Sequence, residues 1–245
     1  MIHYHGGPIT PDTCAIKAWK GRHAFISFAA PHQVGLSAKI CQSFALDNGA
    51  FSAWKVGQEM RWIDYYEWVK KWACHPGFDF AVIPDVIDGT EEENDALLAQ
   101  WPLKPHQGAP VWHINESFFR LKKLASRWPR VCIGSSGEFD VTKQDAFLQR
   151  AHEAIQHICN DDGQPKCKLH GLRMLNPEIF TQLPLASADS TNVARNIGID
   201  SAWRGTYSPQ SKETRTSIMV ERIEHFNSAD RLGDRPHQFT LWSAL

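Results

Sequence analysis

The chain has 245 residues and is nearly neutral, with 26 Lys plus Arg against 27 Asp plus Glu, which argues against a nucleic-acid binder working through bulk charge or a basic tail. No apolar run reaches the ~20 residues that span a bilayer, and the opening Met1-Ile2-His3-Tyr4-His5-Gly6-Gly7-Pro8 lacks a basic region followed by an apolar core. A soluble protein with a cytoplasmic location, and no membrane partner, is the expectation. The six cysteines are scattered without a Cys-x-x-Cys pair or zinc-ribbon spacing, so most of them read as reduced core residues.

The segment from His3 to Ile9 reads as a short added strand and turn. From about Ala24 onward, strand-like runs alternate with longer amphipathic stretches, the pattern of βαβ units and a parallel sheet. The first strand is predicted over Ala24 to Ala29, then a helix near Val34 to Cys41 and a strand from Ser43 to Leu46. A long helix is predicted from Gln58 to Cys74, where Met60, Trp62, Ile63, Tyr66, Val69 and Trp72 fall at mixed helical spacing. Phe78 to Ile83 is the next strand. Thr90 followed by Glu93 has the form of a capping box for a helix reaching about Trp101.

Pro110 to Ile114 then reads as a strand, Glu116 to Trp128 as a helix, Arg130 to Ile133 as a strand and Lys143 to Ile158 as a helix. Strands at Lys168 to Leu172 and Leu185 to Ala188 flank a short helix after Pro177. An eighth strand is placed between Ile199 and Tyr207, before a last helix from about Ser211 to Phe226. With no linker in view, residues 1–245 form one domain, expected to be an α/β, TIM-like (β/α)8 barrel with a short N-terminal extension. Such barrels run to ~250 residues.

A parallel barrel gathers its strand C-terminal ends at one mouth, so residues distant in sequence converge there. Asp47, Asp85 and Asp189 each follow apolar residues and precede turn-forming or small ones. Each could serve as nucleophile, general acid/base or hydrogen-bond acceptor, or cap the helix that follows. His113 closes another apolar run and could donate to a ligand carbonyl or sit satisfied in the core. Gly134-Ser135-Ser136-Gly137 could bring backbone N–H groups to a ligand or form a plain turn. Arg120, Lys122, Lys123, Arg127 and Arg130, with no acid among them, suit either a phosphate-facing surface or a solvated helix face.

In order, these signatures resemble the queuine/archaeosine tRNA-guanine transglycosylase superfamily. Asp47-Asn48-Gly49-Ala50-Phe51 is similar to its Asp-Ser-Gly-Gly-Phe motif, and Ile133-Gly134-Ser135-Ser136-Gly137-Glu138 to a shortened form of its Gly-Gly-Leu-Ala-Val-Gly-Glu loop. Lys168-Leu169-His170-Gly171-Leu172 through Pro177-Glu178 resembles its His-Leu-Leu-Gly-x-Gly-x-Pro-Glu segment. Ala188-Asp189-Ser190-Thr191 through Ala194-Arg195-Asn196 resembles the region holding its nucleophilic aspartate. The likeness runs from about Phe44 to Asn196.

The resemblance implies that Asp189 is the nucleophile and Asp47 the general acid/base. It implies that Asp85, His113, Gly134 and Ser135 line a purine pocket, with His113 where the family usually carries glutamine. Asn48, Phe51, Arg173 and Arg195 are further substrate-contacting candidates. The family's Cys-x-Cys-x-x-Cys…His zinc site has no counterpart, since no cysteine follows Cys167, so no zinc subdomain, metal or other cofactor is expected. In this respect the chain resembles the compact DpdA-type enzymes of bacteria and phages. DNA carrying a guanine nucleotide, and a free 7-deazaguanine such as preQ0, are the implied partners; tRNA is the alternative acceptor.

Three other readings compete, one of them a catalytically silent nucleic-acid-binding module that would keep DNA affinity without forming a covalent intermediate. His3 and His5 with His113, His170 and Asp189 could be the metal set of a barrel amidohydrolase. Two of the aspartates could instead serve a glycosidase or nucleoside hydrolase that uses water as acceptor.

Overall fold

Nine parallel strands form the centre of the protein, a computed structural model that describes residues 1–135, 137–198 and 209–234. The strands are β1 (Ile2–Gly6), β2 (His23–Ser27), β3 (Ser43–Asp47), β4 (Phe78–Val82), β5 (Gly108–Ala109), β6 (Val111–His113), β7 (Arg130–Gly134), β8 (Lys168–Gly171) and β9 (Ser187–Ser190). Their order is β5-β4-β3-β2-β1-β9-β8-β7-β6. The two ends of that series, β5 and β6, are separated in the chain by Pro110 alone, so the sheet curls into a nearly closed barrel. On one side of this join Ile83 N–H donates to the Ala109 carbonyl, and on the other Cys132 N–H donates to the Pro110 carbonyl, at 2.9 and 2.8 Å.

Helices connect the strands: α1 (Asp12–Trp19), α2 (Val34–Ile40), α3 (Ala50–Lys55), α4 (Trp62–Trp72), α5 (Glu91–Leu98), α6 (Phe118–Arg127), α7 (Gln144–Gln156), α8 (Pro177–Phe180), α9 (Asn192–Asn196) and α10 (Lys212–Glu224). The capping box of α5 forms as its sequence predicts: Thr90 Oγ1 accepts from Glu93 N–H, and the Glu93 carboxylate accepts from Thr90 N–H. The helix expected from Gln58 to Cys74 forms as the shorter α4, and a further helix, α3, precedes it, with Gly57 between them at φ 65°. The last helix begins where expected, its Ser211 hydroxyl capping Thr214 N–H.

The N-terminal segment corrects the sequence reading. It is not an appendage but barrel strand β1, paired with β2 on one flank and β9 on the other. Tyr4 points into the barrel, while His5 Nε2 contacts Glu224 Oε1 of α10 and His3 Nε2 contacts the Phe226 carbonyl, both at 2.9 Å. A strand covered by a polar helix face can carry histidines outward without leaving them unsatisfied. The expected strand between Ile199 and Tyr207 lies outside the described residues, and the flank of β9 is occupied by β1.

Tyr4, Phe25, Ala45, Phe80, Val82, Ala109, Val111 and Cys132 fill the barrel as one buried cluster, separate from the larger core between barrel and helices. Full burial of side chains the size of Phe25, Phe80, Val82 and Val111 contributes about 1.5–3 kcal/mol each. The β3–β4 pairing shifts register between Phe44↔Phe78 and Leu46↔Ala81, a bulge that turns both Asp79 and Phe80 inward. Asp79 accepts from Tyr4 Oη at 2.5 Å and pairs with Arg130 at 3.0 Å, while Arg130 lies 4.0 Å from the Phe80 ring centre. This charged cluster forms the floor beneath the mouth.

Two of the five cations between Arg120 and Arg130 are buried and so removed from any phosphate-facing surface, and a third is ion-paired. Arg130 is inside the barrel, and Arg120 is buried against Glu116 and Asp95. Lys123 is paired with Asp95.

Candidate active site at the barrel mouth

Inward and outward positions alternate along a strand, so Ser27 of β2 and Asp47 of β3, which pair in register, both face inward at the mouth. Ser27 Oγ donates to Asp47 Oδ2 at 2.7 Å, and Gly49 N–H donates to the same oxygen at 3.1 Å. Gly49 sits at φ 80°, and a Cβ there would approach Ala29 N to 3.0 Å, so this turn under Asp47 favours glycine. Burial pushes the Asp47 carboxyl up to about 6; the Ser27 hydroxyl opposes the rise, and the charges of Asp189 and Asp85 add to it.

Asp189 lies within β9, beside Tyr4 of β1 in the register, and is 4 % exposed. The predicted strand, Leu185 to Ala188, lies two residues too early; the observed Ser187–Ser190 fixes the Asp189 backbone in the sheet, where its carbonyl accepts from Leu175 N–H at 3.0 Å. Asp189 Oδ1 accepts from Arg173 N–H at 3.0 Å. His170 Nε2 lies 3.3 Å from the same oxygen, without hydrogen-bond alignment, while His170 Nδ1 meets Ser187 Oγ at 2.8 Å. Complete burial lowers the His170 pKa, partly offset by Asp189, so a neutral imidazole is favoured under the carboxylate.

The remaining predicted residues converge as well. Asn48 donates to Asp85 Oδ1 at 2.7 Å and to the Ile83 carbonyl at 3.0 Å, and its own Oδ1 accepts from Ala50 N–H at the start of α3. Asp85 Oδ2 stands 3.0 Å from His113 Nε2, again an ion-pair contact without hydrogen-bond alignment. Burial opposes protonation of His113, but Asp85 and then Glu116 outweigh it and raise its pKa. Gly134 lies beside His113 in register, and a Cβ there would come within 3.3 Å of His113 Nδ1 and 3.2 Å of Val111 Cγ1. The absence of a side chain lets the imidazole lie against the strand.

Ser135 Oγ is buried with no hydrogen-bond partner among the described residues. The Ser135 carbonyl accepts from the Arg173 guanidinium at 2.7 Å. Ser136, part of the same loop signature, lies outside the described residues. Arg173 spans the mouth from an unusual backbone conformation, φ 60°, with its guanidinium carbon 4.0 Å from the centre of the Phe51 ring. Arg195 is exposed on α9 and makes no ion pair among the described residues.

Sequence reasoning missed Glu116, which accepts from His113 N–H at 3.0 Å and is held by Arg120 at 2.5 Å. The His113-x-x-Glu116 spacing across a tight turn was the available signal. Ser27 was visible only as a strand end; its role follows from its register with Asp47. The proposed amidohydrolase set does not assemble, because His3 and His5 face α10 across the barrel wall from His170 and Asp189. Among the described residues no group of three or more His, Cys, Asp or Glu side chains is placed to hold a metal ion.

What the mouth presents is a set of carboxylates in unequal environments: one with a raised pKa, one flanked by a backbone donor and a neutral imidazole, and one joined to histidine and asparagine. The chain matches no protein-family model and no curated protein.

Proposed function

We propose that this protein is a base-exchanging pentosyltransferase that replaces guanine in DNA with a 7-deazaguanine, preQ0 or a close relative, through a covalent Asp189–deoxyribosyl intermediate. We read β5 and β6 as one strand interrupted at Pro110, because Ala109, Val111 and His113 keep one inward alternation; the barrel is then of (β/α)8 type. The single observation that carries the functional reading is the division of labour between two mouth carboxylates. Asp47 has its pKa raised to about 6, whereas Asp189 is held in the sheet with its Oδ1 accepting from the Arg173 backbone N–H.

The reaction proceeds in two displacements. The Asp189 carboxylate attacks C1′ of the guanine nucleotide as the C1′–N9 bond breaks, and the Asp47 carboxyl gives its proton to the departing base. The incoming deazaguanine returns a proton to Asp47, and its N9 attacks C1′ and releases Asp189, so the configuration is retained. A group titrating near 6 can act in both directions near neutral pH. Asp85, with Asn48 behind it, accepts from the base edge. His113 and the backbone of Gly134 and Ser135 face the same base.

The test is incorporation of labelled preQ0 into guanine-containing DNA and, in parallel, into tRNA, using the protein and its Asp189→Ala variant. Label in DNA that depends on Asp189 supports the reading. Label only in tRNA changes the acceptor, and release of free guanine without incorporation indicates a hydrolase using the same carboxylates.

A further inference from the structure

Beyond the base pocket, the mouth carries an aromatic ladder that leads outward. Phe51 and Trp54 are three residues apart on α3, so their side chains share a face. Their ring centres are 5.7 Å apart at 31°. Arg173 stacks on Phe51 at the inner end, and Lys55 Nζ lies 5.1 Å from the Phe51 ring centre. At the outer end Trp54 is 48 % exposed, yet it is not loose: its Nε1–H donates to Asp88 Oδ2 at 2.6 Å, which fixes the indole against the loop after β4. Val56 and Val86 are also exposed on segments that follow the C-terminal ends of β3 and β4.

An exposed indole held in one orientation loses little freedom on stacking, and the cations beside the ladder suit a phosphate backbone. We propose that Trp54 is the stacking platform for an unpaired nucleobase flanking the reactive nucleotide, so that the protein engages a single-stranded segment of DNA across Trp54 and Phe51. This rests on the base-exchange reading for its substrate, but not for its measurement.

Fluorescence anisotropy of a labelled, guanine-containing single-stranded oligonucleotide is measured with the full chain, Trp54→Ala and Trp54→Phe. Trp54→Ala is expected to weaken binding about tenfold, and Trp54→Phe, which keeps a ring, to restore most of it. Abasic sites are then introduced one at a time beside the guanine. At one of them the loss of affinity should be large for the wild type and small for Trp54→Ala. In base exchange, Trp54→Ala should raise KM for DNA and leave kcat within about twofold. Equal affinities for wild type and Trp54→Ala, abasic losses that are the same in both, or no binding of the oligonucleotide by the wild type would each overturn the proposal. Trp54-dependent binding without base exchange would leave the platform standing and remove the transferase reading. Exchange with unchanged KM in Trp54→Ala would do the reverse.

Discussion

Asp189 Oδ1 is shared by two neighbours of opposite kind: the Arg173 backbone N–H, which donates to it at 3.0 Å, and the His170 ring, whose Nε2 lies 3.3 Å away. The backbone donor is fixed by the turn after β8 and holds the Asp189 side chain in one orientation. Replacing Asp189 with Asn should therefore keep the fold but remove the nucleophile. Exchange is expected to fall by roughly 10³-fold or more, with no protein–DNA adduct on a denaturing gel and a melting temperature near that of the wild type. An adduct that persists in Asp189→Asn would take the nucleophile role from this residue.

Asp47 predicts a pH profile. Its carboxyl titrates near 6, so the protonated acid is present below that value and the carboxylate above it. Asp47→Asn should slow exchange by about 10²- to 10⁴-fold and remove the inflection near pH 6 from the rate of guanine release. Retention of both rate and inflection would show that the proton comes from another group.

Ser27 sets where that inflection lies. Its hydroxyl stabilises ionised Asp47, so Ser27→Ala should move the inflection upward in pH, whereas the fold should tolerate the loss of one hydroxyl. A downward shift would contradict the assigned hydrogen bond.

His170 predicts a stability change with pH. Its folded pKa lies below the ordinary 6.5, so the unfolded chain takes up protons first as pH falls. The corresponding stability is present above pH 6.5 and is lost as pH drops through the folded value. His170→Phe keeps a ring among Tyr4, Phe25 and Phe80, and denaturant melts should then show a shallower loss of stability below pH 6.5. An unchanged slope would place the acid sensitivity elsewhere.

Much of this site was legible in the sequence because a parallel barrel converts strand ends into neighbours. Asp47, Asp85, His113, Gly134 and Asp189 each close or follow an apolar run, and the fold brings them to one mouth. Less legible was whatever depends on pairing between strands. Ser27 gains its meaning only from its register with Asp47, and Glu116 from a turn that points it back at His113. The N-terminal strand was misread because its histidines are satisfied by α10 and its neighbouring carbonyl, partners far away in the chain. The β4 bulge that sends Asp79 and Phe80 to the same side also breaks the alternation on which strand reading relies.

The position of β1 between β2 and β9 bears on how the site comes into being during synthesis. Tyr4 emerges from the ribosome early, whereas the residue beside it in the sheet, Asp189, is made late, so this flank of β1 stays open until most of the chain has been translated. Contacts of such large sequence separation slow folding, and the β1–β9 pairing that flanks the candidate mouth is among the most distant in the chain.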